Sequence, residues 1–130
     1  MCINSFKKIN YMKLKVLILI IVSCFSNIFV AQTKKTTLTE KQKIESLISS
    51  IEHLKNAKFN RNGTLYDATT AAKHLRMKLN KAGDDIKTAQ DFIDQIASKS
   101  SMTGQDYKIV YSDGKEILAR KYFYDKLKTL

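Results

Sequence analysis

The sequence predicts an α+β fold, mainly helical, with about four helices and two short β-hairpins in one small domain behind an N-terminal export segment. Three observations lead there. Apolar residues recur at helical spacing in several segments after Thr39; two turn dipeptides, Asn62-Gly63 and Asp113-Gly114, sit between β-prone stretches; and no proline, repeat or low-complexity linker divides the chain. At 130 residues and 44% hydrophobic composition, one folding unit is the default.

The N-terminal part reads as a secretory signal over residues 1–31. Lys13 and Lys15 form a short basic segment, and the run from Val16 to Ala31 carries no charge. Ser23, Ser26 and Asn27 dilute that run below what a membrane span requires. Met12, just before the lysines, is an alternative start, and Ala31 supplies the small residue at the cut, although Phe29 is larger than usual two positions earlier. An uncleaved N-terminal anchor is one competing reading; another places a lipid on Cys24, but the residues after it stay apolar where a polar tether is expected. Removal of this segment takes Lys7, Lys8, Lys13 and Lys15, leaving nineteen bases against twelve acids, a net +7. Cys2 and Cys24 also go, so the exported form has neither a disulfide framework nor a thiolate metal site. Export gives a periplasmic or envelope location and removes nucleic acid as a partner despite the charge. It confines membrane contact to the signal segment.

Residues 32–38 form a polar leader, and residues 39–130 the single domain. Thr39 with Gln42 makes a capping box, followed by Ile44, Leu47, Ile48, Ile51 and Leu54 on one buried stripe. His53 falls on the opposite, solvated side. Asn62-Gly63 predicts a tight hairpin between Phe59-Asn60-Arg61 and Thr64-Leu65-Tyr66, because both turn positions accept positive φ. Asp67 caps a second helix to about Lys81, stopped by Gly83. Thr88 caps a third, with Asp91 in its first turn and Phe92, Ile93, Ile96 and Ala97 as its stripe. After a Ser-rich loop, residues 98–104, comes Tyr107 to Tyr111, a turn at Asp113-Gly114, and Glu116-Ile117-Leu118. Ala119, Phe123, Leu127 and Leu130 suit a closing helix.

Chemistry is thinly signalled. The second helix carries Lys73, His74, Arg76, Lys78 and Lys81 with no acid between Asp67 and Asp84, a positive patch suited to a phosphate, a carboxylate or an acidic polymer. At 100° per residue, His74 and Lys78 border the buried face on one edge and Arg76 on the other. One ligand meets all three only if other elements fold over it; otherwise they are border residues whose stems cover apolar surface. Ser98, Ser100, Ser101 and Thr103, with Lys99, form either an anion-binding loop or a helix exit whose hydroxyls take spare carbonyls. Thr70-Ala71-Ala72-Lys73 imitates the S-x-x-K spacing of Ser-Lys hydrolases without a supporting second motif. Asp84, Asp85, Asp91 and Asp94 read as surface charge. His53 and His74 lie on separate helices, so no metal site and no cofactor is expected.

The string Phe59-x-Arg61-Asn62-Gly63, Ala71-x-x-His74-Leu75-Arg76-x-Lys78-Leu79, Thr88-Ala89-x-x-Phe92-Ile93-Asp94 and Ala97-Ser98-x-Ser100-Ser101-x-Thr103-Gly104-x-x-Tyr107 resembles the YfeK-like family of small exported bacterial proteins, over residues 44–111. The C-terminal hairpin and helix match it only loosely. The resemblance implies export and one domain and supplies no activity. It singles out Arg61, Asn62, Gly63, His74, Arg76, Lys78, Ser100, Ser101, Gly104 and Tyr107. The resulting expectation is a non-enzymatic domain that binds an anionic small molecule or envelope component through His74, Lys78, Arg76, Ser100, Ser101, Arg61 and Tyr107. A structural or protein-interaction module and an envelope hydrolase are the alternatives.

Overall fold

Each of the first three helices begins where a side chain takes up amide groups that the helix itself leaves free. The computed structural model describes residues 37–130; the export segment, the start at Met12, the lipidation alternative at Cys24 and the leader up to residue 36 lie outside them. Helix α1 (Glu40–Glu52) opens on the expected capping box: the Gln42 amide donates to Thr39 Oγ1 at 3.3 Å, and the Thr39 amide donates to Gln42 Oε1 at 2.9 Å. Asp67 accepts the Thr70 amide at 2.8 Å to start α2 (Ala68–Ala82), and Gly83, at φ 56°, ends it in a short 3₁₀ turn (Gly83–Asp85). Thr88 and Asp91 form a second reciprocal box at the head of α3 (Ala89–Asp91).

Between the helices lie β1 (Ala57–Arg61), β2 (Thr64–Tyr66), β3 (Lys108–Tyr111) and β4 (Glu116–Leu118), the last running straight into α4 (Ala119–Leu127). Both predicted hairpins form. They also join, because β1 pairs antiparallel with β3, Phe59 opposite Ile109, giving one sheet of order β2-β1-β3-β4. The physical reason is side-chain parity: Phe59 and Ile109 are both buried on the same face, while their neighbours Lys58 and Lys108 face solvent. Leu65 and Leu118, each about half exposed, stand on that outer face.

The helices cover the inner face. Ala71 and Ala72 of α2, both buried, let it lie close to the α1 stripe of Ile44, Leu47, Ile48 and Ile51. Phe92 and Phe123 meet edge to face at 6.0 Å beneath them. Each of these large side chains, fully buried, contributes on the order of 1.5–3 kcal/mol.

The third helix departs from expectation. After one α-turn it widens into a π-helical segment (Phe92–Ala97) where regular α-helix was predicted. The carbonyls at its end are taken from outside the ladder: Ser98 Oγ donates to Ile93 O at 2.5 Å, and Lys78 Nζ reaches Ile96 O at 2.7 Å. With those acceptors satisfied elsewhere, giving up the ordinary helical bonds carries little penalty. No described helix is long and apolar enough to cross a membrane.

Candidate functional site

Four of the seven nominated side chains meet at one corner of the sheet. Arg61 ends β1, and Asn62 (φ 51°) and Gly63 (φ 83°) make the predicted left-handed turn after it. His74 and Lys78 project from successive turns of α2, and Tyr107 comes in buried just before β3. Together with Tyr66 and Phe59 they surround a space of about 10 Å³, the size of a single water. Tyr66 holds the His74 ring edge to face at 4.9 Å, and Phe59 does the same for Tyr107 at 5.4 Å.

Lys78 is the electrostatic centre of the corner. Its ammonium donates to Ile96 O at 2.7 Å, to Lys99 O at 3.2 Å and, more weakly, to Tyr107 Oη at 3.4 Å, so its three N–H groups each have an acceptor. Nζ also lies 5.2 Å from the centre of the Tyr107 ring. Since it is so much nearer the hydroxyl, the contact is a hydrogen bond rather than a cation held over the ring face. Burial, and secondly the neighbouring charge of Arg61, lower the Lys78 pKa to about 8. Among the described residues neither Arg61 nor Lys78 has a carboxylate partner.

The serine loop joins this corner through Asn62. Asn62 Nδ2 donates to the buried Ser100 Oγ at 3.3 Å, and Thr103 Oγ1 donates to Asn62 Oδ1 at 2.9 Å. Ser100 Oγ also accepts the amides of Met102 and Thr103, each at 3.3 Å. The hydroxyls therefore brace the loop against the β1–β2 turn. Ser101 is exposed and takes no part in this bracing.

Arg76 is on the far edge of α2, as the helical geometry anticipated. Its guanidinium binds Glu45 at 2.6 Å and Glu52 at 2.8 Å, which ties α2 to α1 and raises its pKa further. It stands beside an open groove of about 620 Å³ over Ile44, Leu79 and Ile86, away from the other six.

The remaining motifs have structural partners. Thr70 Oγ1 bonds to Asp67 Oδ2 at 3.0 Å within the α2 cap, and Lys73 is exposed, so the hydrolase-like spacing assembles nothing. Asp91 closes its capping box, and Asp94, read as plain surface charge, holds both Tyr124 Oη at 3.0 Å and Arg120 at 2.8 Å. His53 sits at the end of α1 with Nδ1 2.8 Å from Ser49 O. Among the described residues no three His, Cys, Asp or Glu side chains cluster as metal ligands do.

Two features of the corner escaped sequence reasoning: the carbonyls that Lys78 caps, and Tyr66, which fixes His74. Only the shared order of residues in the family resemblance hinted that these segments belong together. The sequence of residues 38–130 matches the family of unknown function DUF5329. The chain belongs to that family. It is also similar to the protein of Salmonella typhimurium named "Uncharacterized protein YfeK", at 40% identity over 68 residues, 52% of this chain and 57% of that protein. The chain thus spans little over half the length of the curated relative it matches. No solved structure matches. For a DUF5329 member, many of the residues that carried the resemblance fall at this corner: Phe59, Arg61, Asn62, His74, Lys78, Ser100, Thr103 and Tyr107 are drawn together by the contacts above, whereas Arg76 and Ser101 stand apart from it.

Proposed function

We propose that this DUF5329 chain is an exported, non-enzymatic envelope domain that binds an anionic group over Arg61, His74 and Lys78. The carrying observation is the pair of cations at the corner: Arg61 and Lys78 line the same small space, no described carboxylate neutralises either, and burial, followed by the Arg61 charge, lowers the Lys78 pKa. A space of one water cannot take a ligand inside, so the anion rests on the rim. There the guanidinium of Arg61 offers five donors with no described partner, in a fork that fits carboxylate or phosphate. Thr70, the hydroxyl of the hydrolase-like spacing, is engaged in a helix cap, which favours binding over catalysis. Export rests on the basic segment at Lys13 and Lys15 and the uncharged run to Ala31.

The test is thermal. Sulfate or phosphate should raise the melting temperature of the parent more than chloride at matched ionic strength, because the anion binds the folded state. Arg61→Gln with His74→Gln should remove that excess while general salting-out survives. Lys78 is left intact because its replacement would also uncap the π-helical segment. An equal response in parent and variant defeats the binding reading. Export is checked by the intact mass of protein from the envelope fraction, expected to lack the residues before Gln32. A mass that retains residues before Ser23 rules cleavage out.

One observation favours the structural module instead. Every N–H of Lys78 already has an acceptor within the fold, so the ammonium is accounted for without a ligand. The Arg61 variant separates the two readings.

A further inference from the structure

The outward face of α2 is a second feature that the anion corner does not use. On the helix, Lys73, Met77 and Lys81 follow at intervals of four, and all three are exposed, Met77 to 58%. Neither lysine has an ion-pair partner among the described residues, and the fifteen residues of α2 include no acid. The acids nearest in sequence, Asp67 and the Asp84/Asp85 pair, lie beyond its two ends. An apolar side chain left in water between two free cations costs hydration free energy that no contact within the fold recovers.

We infer that this face docks on an anionic lipid surface, with Lys73 and Lys81 on the headgroup phosphates and Met77 entering between them. Charge complementarity selects the partner: lysines near an anionic leaflet are attracted to it, and an exposed thioether at their centre fits the interface, whereas a soluble acidic polymer has no use for Met77. The contact is peripheral, along the helix, and separate from any role of the N-terminal segment. It goes beyond the anion-binding reading and does not depend on Arg61.

The chain contains no tryptophan, so Met77→Trp places a single reporter on the face. In the full chain, vesicles containing phosphatidylglycerol should shift its emission to the blue, phosphatidylcholine vesicles should not, and high salt should abolish the shift. A Trp at exposed Leu65, on the outer face of the sheet, should stay unshifted, which excludes effects of the N-terminal segment. Each lysine is expected to contribute roughly fivefold, so Lys73→Gln with Lys81→Gln should raise the lipid needed for half the shift about twenty-five-fold. Arg61→Gln should leave the shift in place, which keeps this outcome distinct from failure at the corner. An unshifted reporter, equal shifts at positions 65 and 77, equal response to both lipids, an unchanged midpoint in the lysine variant, or the same blue shift with soluble polyglutamate would each overturn the inference.

Discussion

The two edges of α2 carry the same kind of side chain and use it in opposite ways. On one edge Arg76 meets two carboxylates of α1, Glu45 and Glu52, in a solvent-facing clamp. On the other, Lys78 meets only carbonyls and a phenol, with Arg61 as its charged neighbour. The first cation is neutralised and stays fully charged at any ordinary pH; the second is hydrogen-bonded but not neutralised, and its charge is held at some cost. Positive charge without a described countercharge therefore lies at the His74 edge, which is why the proposed anion site is placed there and not beside Arg76.

The sharpest way to break this contrast is Lys78→Met, which keeps the apolar stem and removes the donors. Leaving Ile96 O and Lys99 O without their partner should cost about 2 kcal/mol at neutral pH, read by denaturant unfolding. A gain in stability would mean that the ammonium is kept for its charge alone, at the expense of the fold. The next effect acts on the turn that presents Arg61. At φ 83°, Gly63 has no atom within 4 Å of where a Cβ would lie, so Gly63→Val pays for conformation and not for a clash. A loss of about 1–2 kcal/mol in a thermal melt is expected, and an unchanged midpoint would show that the turn does not hold the corner.

A pH titration then tests the cost of the Lys78 charge. Its folded pKa, about 8, lies below the ordinary 10.5, so between those values the unfolded chain binds more protons than the folded one. Stability from this group is therefore gained as pH rises from about 8 towards 10, by less than about 1.4 kcal/mol per pH unit. Deprotonation sacrifices no contact, because a neutral amine can still donate to the two carbonyls and accept from Tyr107 Oη. The difference between the parent and Lys78→Met should grow over that range. Tyr111 and Tyr124, whose pKa values are raised, act in the opposite direction above about 10 and bound the window. A flat difference between parent and variant would place the Lys78 amine in water.

Much of the fold was legible because its signals are local. Thr39 with Gln42, Asp67 with Thr70, and Thr88 with Asp91 are partners three residues apart, so the sequence itself puts them within reach. Both turn dipeptides likewise act on their own backbone. What could not be read depends on distance in the chain: the β1–β3 register joins residues about fifty apart, Lys78 reaches eighteen positions to Ile96, and Asn62 reaches thirty-eight to Ser100. Helical geometry placed His74 and Lys78 on one edge and Arg76 on the other, yet it had no means of adding Arg61 and Tyr107 from other elements. The widening of α3 was invisible for the same reason, since its stabilising donors include a side chain from another helix.

The smallest expected effect falls on the neutralised edge and sharpens the comparison from that side. Arg76→Gln breaks two contacts at a guanidinium that is about one third exposed, between carboxylates that are 58% and 31% exposed. In such surroundings the attraction is diluted by solvent, and two flexible side chains lose rotamer freedom to make it, so the loss should be about 1 kcal/mol or less and should shrink in high salt. Removing Arg76 also leaves Glu45 and Glu52 facing water, where each carboxylate is readily hydrated; the partners of Lys78 are backbone carbonyls held in the fold and have less recourse. Removing the cation should thus cost more on the edge without countercharges than on the edge with them. Denaturant melts of Arg76→Gln and Lys78→Met at low and high salt measure both. If the Arg76 variant proves the less stable at either salt concentration, the clamp rather than the corner is what fixes α2, and the contrast between the two edges is reversed.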